Sequence, residues 1–318
     1  MSKFSTFCRI MMHEKNKIPL IIWGKAMNCG LTNIIGDRMF LKITYRLLTG
    51  KKLNIDNPKT FNEKIQWLKL YDRKPEYTIL ADKYEVKKYL AEIIGNQYLI
   101  PTYGVWEKFC DIDFSMLPDK FVLKCTHDSG GVVIVRNKEE LDFKKIKHKF
   151  EKSLKRNFYW NGREWPYKNI KPRIIAEKYL EYEGHAVPED YKIYCFNGEP
   201  KYIAVFHNRF DNSKILSETV YDTQWRFQNI SLDNHFAICN EVSEKPECLE
   251  ELLDICRRIC AGYSQLRVDF YIIENRIYFG EITFYTAGGF QPMIPEKMDE
   301  ILGGFINLDA GIGYLKKE

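Results

Sequence analysis

Arg267-Val268-Asp269-Phe270-Tyr271-Ile272-Ile273-Glu274-Asn275-Arg276-Ile277-Tyr278-Phe279-Gly280-Glu281-Ile282-Thr283 is the stretch whose reading decides the fold. Two aromatic and β-branched arms flank a polar Glu274-Asn275-Arg276 centre, which predicts a β-hairpin. Alternation by two puts Arg267, Asp269 and Tyr271 on one face of the first arm, and Glu281 and Thr283 on one face of the second. With the turn centred on Asn275, Asp269 falls opposite Glu281, and a slip of one residue would undo the pairing. Facing carboxylates in an apolar hairpin repel. A divalent cation with oxygen ligands relieves that, and Mg²⁺ bridging substrate phosphates is the usual occupant. Asp269 and Glu281 are therefore candidate metal ligands. The alternative, an exposed face with solvated carboxylates, fits poorly with the apolar flanks.

Upstream, Phe121-Val122-Leu123-Lys124-Cys125 and Val132-Val133-Ile134-Val135 read as short strands around Thr126-His127-Asp128-Ser129-Gly130-Gly131. A glycine-containing tip between strands offers bare backbone N–H groups that can fold over phosphates. It is not a P-loop, since no Gly-Lys-Ser/Thr opens a helix there. Asp82-Lys83-Tyr84-Glu85 reads as a capping box opening a helix that stops at Gly95. Lys83 would sit in its first turn, where a cation is disfavoured unless an anion binds beside it. Asp190 to Phe196 is a strand with Asp190, Lys192 and Tyr194 on one side. Arg173 to Leu180 is another, ending in a linker from Glu181 to Glu189. Thr60-Phe61-Asn62-Glu63 is a second capping box, and Asp37 is a plausible N-cap for a helix running to Thr49. Lys138 to Lys155 reads as a basic helix. Arg156 to Pro172 is an aromatic-rich connection, either a substrate cover or a packed excursion.

The chain has 318 residues, 29% charged and 45% hydrophobic, an ordinary globular balance. No apolar run reaches the roughly 20 residues a spanning helix needs, and Ile18 to Trp23 lacks the cleavage site of a secretory signal. Nine cysteines form no C-x-x-C pair; buried thiols in a reducing compartment explain them best. The net charge of +5 is uneven: residues 1–80 hold 15 Lys/Arg against 6 Asp/Glu, +9, and the remainder is −4. That suggests an anionic partner at the N-terminal part, such as a phospholipid headgroup, a lipid-linked pyrophosphate or an acidic glycan. A solvated basic face would look the same.

The blocks Thr60 to Lys64, Ala81 to Tyr84, Phe121 to Cys125, Asp190 to Lys192 and Phe279 to Thr283 together resemble the TupA-like family of the ATP-grasp superfamily, associated with teichuronopeptide and surface-polysaccharide synthesis. The resemblance spans roughly residues 40–310. It implies an α+β ATP-grasp fold, two α/β subdomains gripping ATP, with a mostly helical N-terminal region. The implied parts are a helical basic region over 1–80, a subdomain with the phosphate loop over 81–180, and a C-terminal subdomain with the metal site over 181–318. A parallel with D-alanine–D-alanine ligases implies roles residue by residue. Lys83 and Lys124 resemble the phosphate-contacting lysines, with Ser129, Gly130 and Gly131 as the flap. Glu177 resembles the hinge residue beside adenine. Asp190, in its Asp190-Tyr191-Lys192 block, resembles the ribose contact and places Lys192 in the ATP site. Arg267 resembles the arginine that stabilises the transferred phosphoryl group, and Asp269 and Glu281 the Mg²⁺ ligands. Thr283 stands where the ligases carry Asn as third ligand.

The resemblance implies an ATP-dependent carboxylate–amine ligase working through an acyl phosphate, with ATP and Mg²⁺. A uronic acid of a glycan or sugar nucleotide and an amine or amino acid would be its substrates. The expected location is cytoplasmic, with contact at the inner membrane surface through residues 1–80 and no nucleic-acid partner. A glycosyltransferase is the rival, on the Asp111-Ile112-Asp113 tripeptide, which also suits a helix cap or turn. His127 is a candidate base for the incoming amine, though a lone loop histidine is more often structural.

Overall fold

The computed structural model describes residues 18–182, 188–207, 216–233, 236–239 and 242–308. Most of the expected linker Glu181 to Glu189 and the first 17 residues lie outside these.

Two antiparallel sheets organise the molecule. The smaller has four strands in the order β1 (Thr102–Trp106), β4 (Ile174–Lys178), β2 (Phe121–Cys125), β3 (Val132–Val135). In β2, Phe121, Leu123 and Cys125 are buried and Val122 and Lys124 point the other way. The buried set joins Phe150 and Ile146 of the helix Phe143–Leu154 in one apolar cluster. That helix starts at Phe143, well inside the expected basic run, where the Asp142 carboxylate caps the Lys145 N–H.

The larger sheet runs β11 (Arg276–Thr283), β10 (Gln265–Ile273), β5 (Asp190–Phe196), β6 (Glu199–His207), β7 (Ser217–Asp222), β8 (Phe227–Gln228), with β9 (Ala237–Ile238) pairing beside β7. Its core face carries Leu266, Val268 and Phe270, packed on Leu252, Ile255 and Ile259 of the helix Leu249–Cys260. Strand β5 is buried along its whole length, which places Asp190 and Lys192 in the interior.

Three helices, α1 (Ile18–Asn28), α2 (Asp37–Thr49) and α3 (Phe61–Tyr71), form the N-terminal part. Thr60 caps α3 with the full reciprocal box to Glu63. Phe61, Ile65 and Leu68 of α3 share the large sheet's core, so this part is welded to the C-terminal sheet. Phe61 is fully buried, and its loss would cost about 3–5 kcal/mol. Helix α2 starts at Asp37 itself, with Gly36 as N-cap and a left-handed Gly50 ending it. The Asp37 carboxylate is thereby released to pair with Arg73 and Arg163. The aromatic connection is a packed excursion: Arg163 is fully buried and donates to the carbonyls of Thr32 and Ile35.

Candidate active site

The hairpin forms with Asp269 opposite Glu281, though by a different route from the one its spacing suggested. The turn is the two-residue pair Glu274-Asn275, both left-handed with φ of 50° and 60°. Counted back from that turn, regular alternation would set Glu281 opposite Val268, on the core face. A β-bulge between Asp269 and Phe270 restores the facing pair: Phe270 partners Phe279, Asp269 partners Glu281, and Gly280 is surplus. A Cβ on Gly280 would stand 2.9 Å from the Asp269 carbonyl oxygen. The sequence carried a signal for this: Ile277 and Phe279 are buried at odd positions and Ile282 at an even one, with a lone glycine between.

The facing carboxylates are not left to repel one another. Arg267 Nε donates to Asp269 Oδ1 at 2.7 Å, and its Nη2 reaches Asp269 Oδ2 at 2.8 Å. Lys192 Nζ donates to the same Oδ2 at 2.7 Å and to Asp190 at 2.8 Å. Burial alone would push the Asp269 carboxyl up, but Arg267 and Lys192 outweigh it and hold the group down to about 2. Arg267 Nη2 also lies 3.6 Å from Glu281 and donates to the Thr283 hydroxyl at 3.0 Å. Thr283 therefore serves as an acceptor for Arg267 here.

Of these, Asp190, Asp269 and Glu281 line a cleft of about 450 Å³ between the two sheets, and Lys192, Arg267 and Thr283 are not among its lining residues. Lys83, Lys124, Ser129, Gly130 and Glu177 line it from the smaller sheet's side, and Asp190, Asp269, Tyr271 and Glu281 from the larger sheet's side. Gly131 follows the exposed tip, and a Cβ there would stand 2.6 Å from the Asp128 carboxylate. Lys124 lies 2.6 Å from Glu177, which also pairs with Lys87, a residue the sequence reading passed over. Burial would raise the Glu177 carboxyl, yet Lys124 and Lys87 hold it below the usual carboxylate range. The Glu177 carboxylate thus faces the two lysines, and it is Lys178, Tyr179 and Leu180 that line the cleft beyond it.

The Asp82-to-Glu85 segment makes no capping box. The helix runs Glu85–Ile93 with no side-chain cap from Tyr84. Asp82 Oδ1 accepts from the N–H groups of Tyr84 and Glu85, while Arg173 takes the other Asp82 oxygen and the Glu85 carboxylate. Lys83 consequently precedes the helix, and its Nζ donates to the Asp128 carbonyl at 2.5 Å, pinning the loop between β2 and β3. His127 is buried with Nε2 3.0 Å from the Ser153 carbonyl, a packing role. Asp113 caps the 3-10 turn Phe114–Met116, and neither it nor Asp111 lines the cleft.

The loop after Thr283 is held from α3, which was not foreseen. Gln66 Nε2 donates to the carbonyls of Gly288 and Gly289, and buried Lys69 donates to Gly288 at 2.6 Å. Ala287, Gly288 and Gly289 are all left-handed. A Cβ on Gly289 would meet Gln66 and Ile65 at 2.5 Å.

The donor set fits magnesium and a nucleotide. Mg²⁺ takes one or two carboxylates and completes its shell with water and substrate phosphates. Asp269 and Glu281 supply the two, and among the described residues no larger cluster of His, Cys, Asp or Glu is gathered for a metal. Lysines at the cleft wall and an exposed glycine tip suit phosphate oxygens.

Two antiparallel sheets closing on a cleft lined by lysines and carboxylates, with a facing carboxylate pair on a C-terminal hairpin, define an ATP-grasp protein. The sequence profile described as TupA-like ATPgrasp matches residues 63–307, and the chain belongs to that family. Among solved structures it is similar to D-alanine–D-alanine ligase from Bacillus anthracis complexed with ATP, at 19% identity over 76% of this chain and 67% of that one, TM-score 0.44. It is also similar to D-alanine–D-alanine ligase from Helicobacter pylori, at 14% identity over 78% and 67%, TM-score 0.41. N5-carboxyaminoimidazole synthetase from Staphylococcus aureus complexed with ADP matches at 15% identity over 64% and 44%, TM-score 0.37. No curated protein shows significant similarity to the chain.

Proposed function

We propose that the protein is an ATP-dependent carboxylate–amine ligase. A substrate carboxylate oxygen attacks the γ-phosphorus of ATP, ADP leaves, and an acyl phosphate forms. The amine nitrogen then attacks the acyl carbon, inorganic phosphate departs, the nitrogen loses a proton and an amide remains. The observation that carries this reading is the facing pair Asp269 and Glu281 with Arg267 between them. Mg²⁺, when bound there, would neutralise charge on the transferring phosphoryl group.

Lys124 and Lys83 orient the phosphates from the loop side, at no cost in rearranging solvent. Arg267, bonded to Asp269 and 3.6 Å from Glu281, would stabilise charge on the transferred phosphoryl group. Lys192 offsets the charges of Asp190 and Asp269, and Asp190, at the cleft wall, would accept from a ribose hydroxyl. The resemblance to TupA-like proteins favours a uronic acid of a capsule or cell-surface polysaccharide as the carboxylate, and an amino acid or small amine as the partner.

Phosphate release from ATP, screened over pairs of uronic acids and amines with the product identified by mass, tests the reading. ADP, phosphate and an amide are expected. AMP and pyrophosphate would mean adenylation, and nucleotide-sugar cleavage without ATP would mean glycosyl transfer.

A further inference from the structure

We propose that the outer face of α1, the 3-10 turn Leu31–Ile34 and α2 docks the protein on an anionic lipid surface. Helix α1 is strongly apolar, Ile-Pro-Leu-Ile-Ile-Trp-Gly-Lys-Ala-Met-Asn, yet none of its residues is buried. Its inner side is spent on α2, where the Trp23 indole donates to Thr44 at 3.0 Å and packs beside Phe40. The outer side is left without cover from the described residues. Ile22 is 62% exposed, Leu31 68%, Ile34 93% and Met39 57%. Four large exposed apolar side chains thus fall within one helix–turn–helix corner of 18 residues, from Ile22 to Met39, and such a concentration marks an interaction surface more than scattered exposure does.

Charge identifies the occupant. On α2, Met39, Lys42, Ile43 and Arg46 recur at three- and four-residue spacing, and Met39 and Arg46 are exposed. Residues 18–60 contain two acids, Asp37 and Asp56, and both are engaged by arginines. The corner is therefore apolar at its tip and basic around it, the pattern of an interfacial element. A second copy would set like charges together. Residues 1–17 would do the same, since Lys3, Arg9, Lys15 and Lys17 stand against Glu14 alone. An anionic bilayer complements both the charge and the apolar tip, its lipid headgroups meeting the cations while Ile22, Leu31 and Ile34 enter the acyl boundary. No helix among the described residues is long and apolar enough to cross a membrane, so the contact is a surface one.

The corner is rigidly backed. Arg163 ties the carbonyls of Thr32 and Ile35 to the aromatic excursion, and Tyr45 of α2 packs on Phe290 in the loop after Thr283. Docking would thus hold the loop after Thr283 to the same rigid corner, whatever acid and amine the cleft joins.

Flotation of the full chain with phosphatidylcholine vesicles, with and without phosphatidylglycerol, tests the proposal at low and high salt. Binding to the anionic vesicles at low salt, weakened at high salt, is expected. Ile22→Ser with Ile34→Ser, and separately Lys42→Glu with Arg46→Glu, should each weaken it about tenfold or more. ATP turnover should be unchanged in both variants, which separates this surface from the cleft chemistry. Three results would overturn the proposal: no flotation with anionic vesicles, flotation indifferent to both double variants, or self-association abolished by Ile22→Ser with Ile34→Ser. Vesicle binding that appears only after residues 1–17 are removed would equally assign the face to that segment instead.

Discussion

Glu281 stands opposite Asp269 across the β10–β11 hairpin, and one surplus residue, Gly280, puts it there. The facing of the two carboxylates therefore rests on a bulge whose backbone passes so close to Asp269 that a Cβ at Gly280 would meet the Asp269 carbonyl at 2.9 Å.

Replacing Gly280 by valine should shift β11 against β10 where the two carboxylates meet. A stability loss of about 1–3 kcal/mol is expected from the crowding, together with a disproportionate fall in ATP turnover. Chemical denaturation and phosphate release measured on the same preparation check both. A variant as active and as stable as the parent would mean that the bulge carries no functional geometry.

Lys124 and Lys87 share the buried carboxylate of Glu177, which makes their substitutions unequal. Lys124→Ala leaves Lys87 to compensate Glu177, so the fold should survive while nucleotide affinity drops. Glu177→Ala leaves two inward-facing cations uncompensated, and a loss of about 3–5 kcal/mol is expected. Titration calorimetry with ATP and thermal unfolding separate the two effects. Unchanged affinity in Lys124→Ala would remove Lys124 from the phosphate site.

Acid should reach the site late. Asp269 is held down to about 2 against the burial that opposes it, and an unfolded aspartate titrates near 4. A depressed folded value means that its contribution is fully present above about pH 4 and fades as pH falls toward 2. Glu177 is shifted the same way. Stability measured stepwise over that window should fall more steeply in the parent than in Asp269→Asn, which should itself be less stable at neutral pH. Parallel curves would contradict the ion-pair assignment.

Much of this was legible from residue pattern. The Thr60 box and the β-strand at Phe121–Cys125 follow from caps and period, which are local properties, while the opposition of Asp269 and Glu281 was expected from a turn centred on Asn275 and is reached through the bulge at Gly280. What stayed hidden depends on partners distant in sequence. Nothing local says that Arg173 claims both Asp82 and Glu85, so the expected box there dissolves. Likewise nothing near Asp269 in the chain announces that Lys192, from another strand, completes its neutralisation. The grip of Gln66 and Lys69 on Gly288 joins residues 222 and 219 positions apart, far beyond any local pattern.

The central claim is phosphoryl transfer from ATP at the Asp269–Glu281 pair, and it is tested most directly by phosphate release in the presence of Mg²⁺ from Asp269→Asn and Glu281→Gln, with folding verified by circular dichroism. Each variant should lose about a hundredfold or more of turnover while remaining folded. Turnover in either variant close to that of the parent would contradict the account.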